Sequence, residues 1–174
     1  MVDFKEWQVY STGDVQLNPG PPMLNFTHLN IHSLATKSAP LHNYLISNPT
    51  DILSLNETLL QPTDSDSSIA SFIPPGYSII QSPRLTGLGG GVAVIFRHFL
   101  KLTRSKSQLP SPITFETLTT KLTSGNKETI FINIYRRPPT PLASDKLIQI
   151  LTNTNYPPFS LNSSLYLNTM SPPF

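Results

Sequence analysis

The hydrophobic positions of this chain repeat with two periods, and their order predicts a layered arrangement of strands and helices. Between Leu24 and Leu34, the residues Leu24, Phe26, His28, Asn30 and His32 alternate with Asn25, Thr27, Leu29, Ile31 and Ser33. A period of two puts alternate side chains on opposite faces, so the segment reads as a strand. Leu41, Tyr44 and Leu45 then fall at helical spacing between Ser38 and the Asn48-Pro49 stop, which predicts one helix. Asp51-Ile52-Leu53-Ser54-Leu55 is a second short apolar strand. Strand, helix and strand within about 33 residues predict a right-handed βαβ crossover and an α/β layered domain.

Beyond residue 76 the pattern is mostly β. Tyr77 to Gln81 and Val92 to Phe96 flank Arg84-Leu85-Thr86-Gly87-Leu88-Gly89-Gly90-Gly91, where glycine supplies the positive-φ positions of a hairpin connection. Thr114 to Leu122 and Thr129 to Tyr135 flank Ser124-Gly125-Asn126, a second hairpin turn. The expectation is about six strands and one or two helices, with no internal repeat.

Composition adds exclusions. A length of 174 residues fits one domain at ~100–200 residues each. The longest apolar run, Val92 to Phe96, falls far short of the ~20 residues of a membrane-spanning helix. Met1 to Tyr10 carries Asp3 and Glu6 against Lys5 and lacks the basic and apolar regions of a secretory signal. With no Cys, disulfides and thiolate chemistry are excluded. Three parts are expected: a leader, 1–22, closed by Gly20-Pro21-Pro22; a body, 23–142; and a tail, 143–174. Residues 147–174 hold no charged side chain, and 15 of these 28 positions are Ser, Thr, Asn or Pro. A short helix from the cap Ser144 through Leu147, Ile148, Ile150 and Leu151 fits there, with disorder expected beyond about Thr152.

The net charge of +2 conceals an asymmetry. Residues 1–83 hold two bases and seven acids, a balance of −5, whereas residues 84–146 hold ten bases and three acids, a balance of +7. A basic segment of this kind is either a solvated face or a surface that neutralises nucleic-acid phosphates.

Several constellations bear on chemistry. Gly89-Gly90-Gly91 lacks the Lys-Ser/Thr of a P-loop and precedes a strand rather than a helix, so it reads as a hairpin turn and not a phosphate cradle. His28 and His32 share a strand face two pleats apart, without Cys or an intervening Glu, and read as ordinary polar strand residues rather than a zinc site. Glu57 directly follows the apolar strand 52–55. Ligand sites gather at such strand ends in α/β sheets, and a carboxylate there suits Mg²⁺, although from its position alone a local cap or ion pair is the simpler role. Tyr135 likewise ends the run Ile130 to Ile134, and Asn30 lies in the first strand. These three polar residues form a possible rim.

Taken in order, Leu29-Asn30-Ile31-His32-Ser33-Leu34, Asp51-Ile52-Leu53-Ser54-Leu55-Asn56-Glu57-Thr58, Ile73-Pro74-Pro75-Gly76-Tyr77, Gly89-Gly90-Gly91-Val92-Ala93-Val94 and Asn133-Ile134-Tyr135-Arg136 resemble the endonuclease domain of LINE-type (non-LTR) retrotransposons. That domain belongs to the endonuclease/exonuclease/phosphatase superfamily, with apurinic endonucleases and the DNase I type. The leader segment Asp14-Val15-Gln16-Leu17-Asn18-Pro19-Gly20-Pro21 resembles a 2A-type ribosome-skipping peptide, with Gln16 in place of the usual Glu. Skipping would leave the Gly20–Pro21 bond unmade, and in vitro translation would then yield a body beginning at Pro21.

The resemblance implies a four-layer α/β sandwich of two packed sheets, with the site where their loops meet. It also implies Mg²⁺-dependent nicking of target DNA to prime reverse transcription, with the reverse transcriptase portion lying outside this chain and nuclear action on chromosomal DNA. By motif, Glu57 would be the metal ligand, Asn30 a support for the metal and catalytic network, and Tyr135 a donor to the scissile phosphate. Arg84, Arg97, Lys101, Arg104, Arg136 and Arg137 would contact DNA phosphates.

Departures from the family pattern begin near Arg136-Arg137-Pro138-Pro139. The downstream Asp-x-Asn and Asp-His motifs do not follow; after Tyr135 the sole carboxylate side chain is Asp145, and no His follows His98. The expectation is a truncated or frame-shifted copy whose later strands are missing and which is inactive as this chain, because loss of the general base removes most of the rate. The alternatives are a non-catalytic nucleic-acid-binding or structural remnant, or another superfamily member such as a phosphoinositide phosphatase or exonuclease.

Overall fold

The computed structural model describes residues 24–85, 89–106, 115–136 and 166–168. The leader with its Gly20–Pro21 junction, Arg137, and the expected helix from Ser144 to Leu151 lie outside the described residues.

The first strand, β1 (Phe26–Asn30), runs parallel to β2 (Ile52–Asn56), from Phe26 opposite Ile52 to Asn30 opposite Asn56. Between them lies α1 (Ser38–Ser47), which buries Leu41 and Leu45, one turn apart. Its end is set locally: the Asn48 backbone N–H and Nδ2 both donate to the Tyr44 carbonyl at 2.9 Å, and Pro49 cannot continue the ladder. The expected βαβ unit is therefore present.

A five-residue helix, α2 (Asp66–Ala70), follows under the cap Ser65, whose Oγ accepts from the Ser68 N–H at 3.2 Å. The first hairpin pairs β3 (Tyr77–Ser82) antiparallel with β4 (Val92–Arg97). β4 also pairs antiparallel with β2, giving the sheet order β1-β2-β4-β3. The second sheet contains β5 (Leu102–Arg104), β6 (Phe115–Ser124), β7 (Lys127–Arg136) and β8 (Tyr166–Asn168), in that order. β6 and β7 form the expected second hairpin, whereas β8 joins β7 in parallel.

Strand alternation divides the core. Leu53, Leu55, Ala93 and Ile95 face the helical side with Ile31, Leu34, Leu41, Leu45 and Ile69. Ile52, Val92, Val94 and Phe96 face the second sheet and meet Leu118, Leu122, Phe131 and Tyr135. A sheet covered on both sides needs apolar residues at consecutive positions, which explains the unbroken Val92–Phe96 run. Asn133 ties the layers together, its Nδ2 donating to the Leu55 carbonyl at 2.9 Å and the Ala93 carbonyl at 3.3 Å. Phe26 stacks on Phe131 across the same interface, with centroids 5.7 Å apart.

Two expectations change. β1 stops at Asn30, because His32 and Ser33 take φ of +50° and +89°; His28 and His32 therefore do not share a strand face. In the tail for which no regular structure was expected beyond the short helix, Tyr166–Asn168 forms β8 through long-range pairing with β7.

Candidate functional site

The site is assembled from three loop segments at one end of the first sheet. Past the ends of β1 and β2 the two chains stay bonded: Ile31 N–H to the Asn56 carbonyl at 3.0 Å, Ser33 N–H to Glu57 at 2.8 Å, and Leu34 N–H to Thr58 at 2.9 Å. Thr58 and Leu59 then donate to the Gly91 and Gly90 carbonyls at 3.2 and 2.9 Å. These bonds hold His32, Ser33, Glu57 and Leu59 at positive φ, a conformation that costs a non-glycine residue on the order of 1–3 kcal/mol and persists only when its surroundings over-determine it. Gly91, at φ +83°, lies so close to Thr58 that a Cβ would come within 2.5 Å of its Oγ1. The glycine run is thus a packing requirement of the site as well as a hairpin connection.

Glu57 stands at the centre. The Tyr135 hydroxyl, from the end of β7, donates to Oε1, and the His32 imidazole Nδ1 lies 2.6 Å from Oε2. The Glu57 side chain is only 15% exposed, while that of His32 is 76% exposed. Burial, followed by the hydrogen bond to Glu57 and its charge, raises the Tyr135 pKa well above its usual value. Tyr135 is therefore a permanent donor across the physiological range.

A second carboxylate anchors the cleft wall. Glu116 sits opposite Tyr135 in the β6–β7 register, pairs with the Arg84 guanidinium Nε and accepts the Gly91 backbone N–H. His32, Glu57, Leu59, Arg84, Gly89, Gly90 and Tyr135 line the cleft. Around the cleft, the carboxylates of Glu57 and Glu116 outnumber the single guanidinium of Arg84, and the surplus of negative charge favours a cation.

The donor set fits a hard divalent ion. Buried oxygens without a hydrogen-bond partner flank the Glu57 turn: Asn30 Oδ1, Asn56 Oδ1 and Thr58 Oγ1. Carboxylate, amide and hydroxyl oxygens are the ligand types and water anchors that Mg²⁺ uses. Among the described residues, no three His, Asp or Glu side chains gather into a metal cluster, so water and substrate would supply the remaining coordination.

Glu57 and Tyr135 meet directly, and Asn30 stands at the adjoining strand end, opposite Asn56. Of the basic residues, Arg84 lines the cleft. Arg97 ends β4 away from Gly91, with its guanidinium 4.3 Å above the Tyr77 ring. Lys101 is exposed before β5, and Arg104 reaches Ser82 Oγ at 3.1 Å. Arg136 closes β7. The sequence pattern does not mark His32 or Glu116 for this site; the first enters because β1 ends early, the second through the β6–β7 register.

No family model and no curated protein matches the sequence. Solved structures do resemble the fold. Humanized Danio rerio TDP2, carrying 14 mutations, superposes with a TM-score of 0.57 at 15% identity, over 84% of this chain and 61% of that one. The AP endonuclease LMAP from Leishmania major gives 0.50 at 18% identity, over 62% of this chain and 38% of that one. The endonuclease domain of TRAS1, a telomere-specific non-LTR retrotransposon, gives 0.46 at 14% identity, over 73% and 50%. The first two carry the fold assignment. The chain has the α/β fold of the endonuclease/exonuclease/phosphatase, DNase I-like type, and spans 38% and 61% of the lengths of the LMAP and TDP2 structures.

Proposed function

We propose that the cleft around Glu57 binds a DNA phosphodiester beside a divalent cation, Mg²⁺ by resemblance, and that this chain is a retrotransposon-type endonuclease segment that binds without cutting. The observation that carries this reading is the Glu57 carboxylate held between Tyr135 and His32 with Arg84 in the same cleft. Glu57 would hold the ion, with Asn30 as neighbouring support. Such an ion, when bound, neutralises charge on phosphate oxygens and acidifies water.

The chain's own groups have separable roles. Tyr135 donates a hydrogen bond to Glu57; rotation of that hydroxyl would redirect the hydrogen bond to a phosphate oxygen, with the proton staying on Tyr135. Arg84 supplies a charged fork whose orientation is fixed by Glu116. The missing role is the base that removes a proton from attacking water, since the sequence carries neither Asp-x-Asn nor Asp-His after Tyr135. The proposed outcome is phosphate binding in the absence of turnover.

Fluorescence anisotropy with duplex DNA, over a range of salt and with or without Mg²⁺, tests the binding. Affinity should fall steeply with salt, and Arg84→Gln should reduce the log–log salt slope by about 1, the signature of one lost phosphate contact. Glu57→Gln should remove the Mg²⁺-dependent part of the affinity. Salt-independent binding, or a Mg²⁺ response unchanged in Glu57→Gln, would contradict the reading.

A further inference from the structure

Glu116 stands behind the cleft wall. It pairs with the Arg84 Nε and accepts the Gly91 N–H, while Arg84, Gly89 and Gly90 line the cleft in front of it. Gly90, at φ +85°, packs so closely that a Cβ would collide with both Glu116 Oε1 and the Arg84 guanidinium. The side chains of Arg84 and Glu116 are only 17% and 16% exposed, so salt and water screen the Glu116 charge weakly. Its field also reaches Tyr135: burial, then the bond to Glu57 and the Glu57 charge, raise the Tyr135 pKa, and the Glu116 charge adds to them. Fastening β6 to the glycine run needs only acceptor oxygens. A fixed anion beside the guanidinium that is to meet a phosphate has a second consequence, for the charge of the ligand.

We propose that Glu116 is a specificity-determining residue that tunes the cleft to monoanionic phosphodiesters over dianionic phosphate monoesters. The inference rests on the reading that Glu57 holds a divalent ion and Arg84 meets a phosphate. Counting that ion with Arg84, Glu57 and Glu116, the loaded cleft carries one surplus positive charge, which one diester anion neutralises. A monoester carries about two negative charges near pH 8, because its second pKa is about 6. Coulomb energy scales with the product of the charges, so Glu116 opposes the dianion about twice as strongly as the monoanion. An uncharged residue in its place would leave a cleft matched to the dianion.

Two ligands that differ by one methyl group measure the preference: thymidine 3′-phosphate and its phosphate methyl ester, a diester. Each is titrated into the full chain with Mg²⁺ at about pH 8 and followed by NMR. The expected result is a diester bound at least as tightly as the dianion. Glu116→Gln removes the charge at nearly constant shape and should move the affinity ratio about tenfold toward the dianion. Glu116→Asp keeps the charge but shortens the reach, and should keep the ratio of the unaltered chain even where both affinities fall. Thermal melts confirm that each variant folds. Tighter binding of the dianion by the unaltered chain, a ratio unmoved by Glu116→Gln, or one moved equally by Glu116→Asp would overturn the role of Glu116 while leaving the phosphate reading intact. Failure of the unaltered chain to bind either ligand, or affinities indifferent to Arg84→Gln, would overturn the two together.

Discussion

Tyr135 and Glu57 illustrate how much of this site depends on single atoms. Tyr135→Phe removes the donor to a largely buried carboxylate, and a hydrogen bond to a charged group is worth about 1.5–3 kcal/mol. Urea denaturation should show a loss of stability of that order, with little change in the denaturant slope. His28 gives a pH prediction. Burial lowers its pKa from 6.5 to about 4, so the unfolded chain takes up a proton that the folded chain refuses. Stability should therefore be unaffected by this group above pH 6.5 and should fall between pH 6.5 and about 4, by on the order of 3 kcal/mol in total. His28→Gln should flatten the dependence across that window, as read by chemical denaturation at successive pH values. Glu57 and Tyr135 were legible in sequence because each directly follows or ends an apolar strand. His32 was misplaced because its left-handed backbone is imposed by partners in another loop, which no local pattern records. Glu116 was not recognised because its role comes from pairing with a strand whose register is set in three dimensions.

The elements were predictable where a periodic pattern and its stop lay close together. The βαβ unit had Ser38 and Asn48-Pro49 as bounds, and both hairpins had glycine-bearing connections. β5 and β8 have three residues each, too few to establish a period, and β8 exists through its pairing with Phe131–Asn133. Two substitutions test the joints between elements. Gly91→Ala combines an unfavourable φ of +83° with a close approach to Thr58, and should cost about 1–3 kcal/mol in a thermal or urea melt. Asn133→Ala removes the bridge from β7 to the carbonyls of Leu55 and Ala93 and leaves a small cavity between the sheets. A loss of about 1–3 kcal/mol is expected, whereas no change would mean that the two sheets do not need this strap.

At the scale of the whole molecule, charge and fold point to different surfaces. The basic middle of the sequence was expected to gather phosphate contacts, yet among the described basic side chains it is Arg84 that lines the cleft, with Arg97 over Tyr77 and Arg104 at Ser82. Linear charge balance records composition, while the strand register distributes these side chains along both sheets. The described layers comprise the helical side and two packed sheets, and no helix among the described residues is long and apolar enough to cross a membrane. On the proposed reading, the cleft grips a phosphodiester through Glu57 and Arg84 and lacks the base needed to cut it. Supercoiled-plasmid nicking by the purified chain, with and without Mg²⁺ and beside Glu57→Gln as the contamination control, puts both halves of that statement at risk. The expected result is plasmid that is retarded by binding but remains supercoiled under every condition. Nicking that requires both Mg²⁺ and Glu57 would contradict it, because the residues lining this cleft would then suffice for hydrolysis.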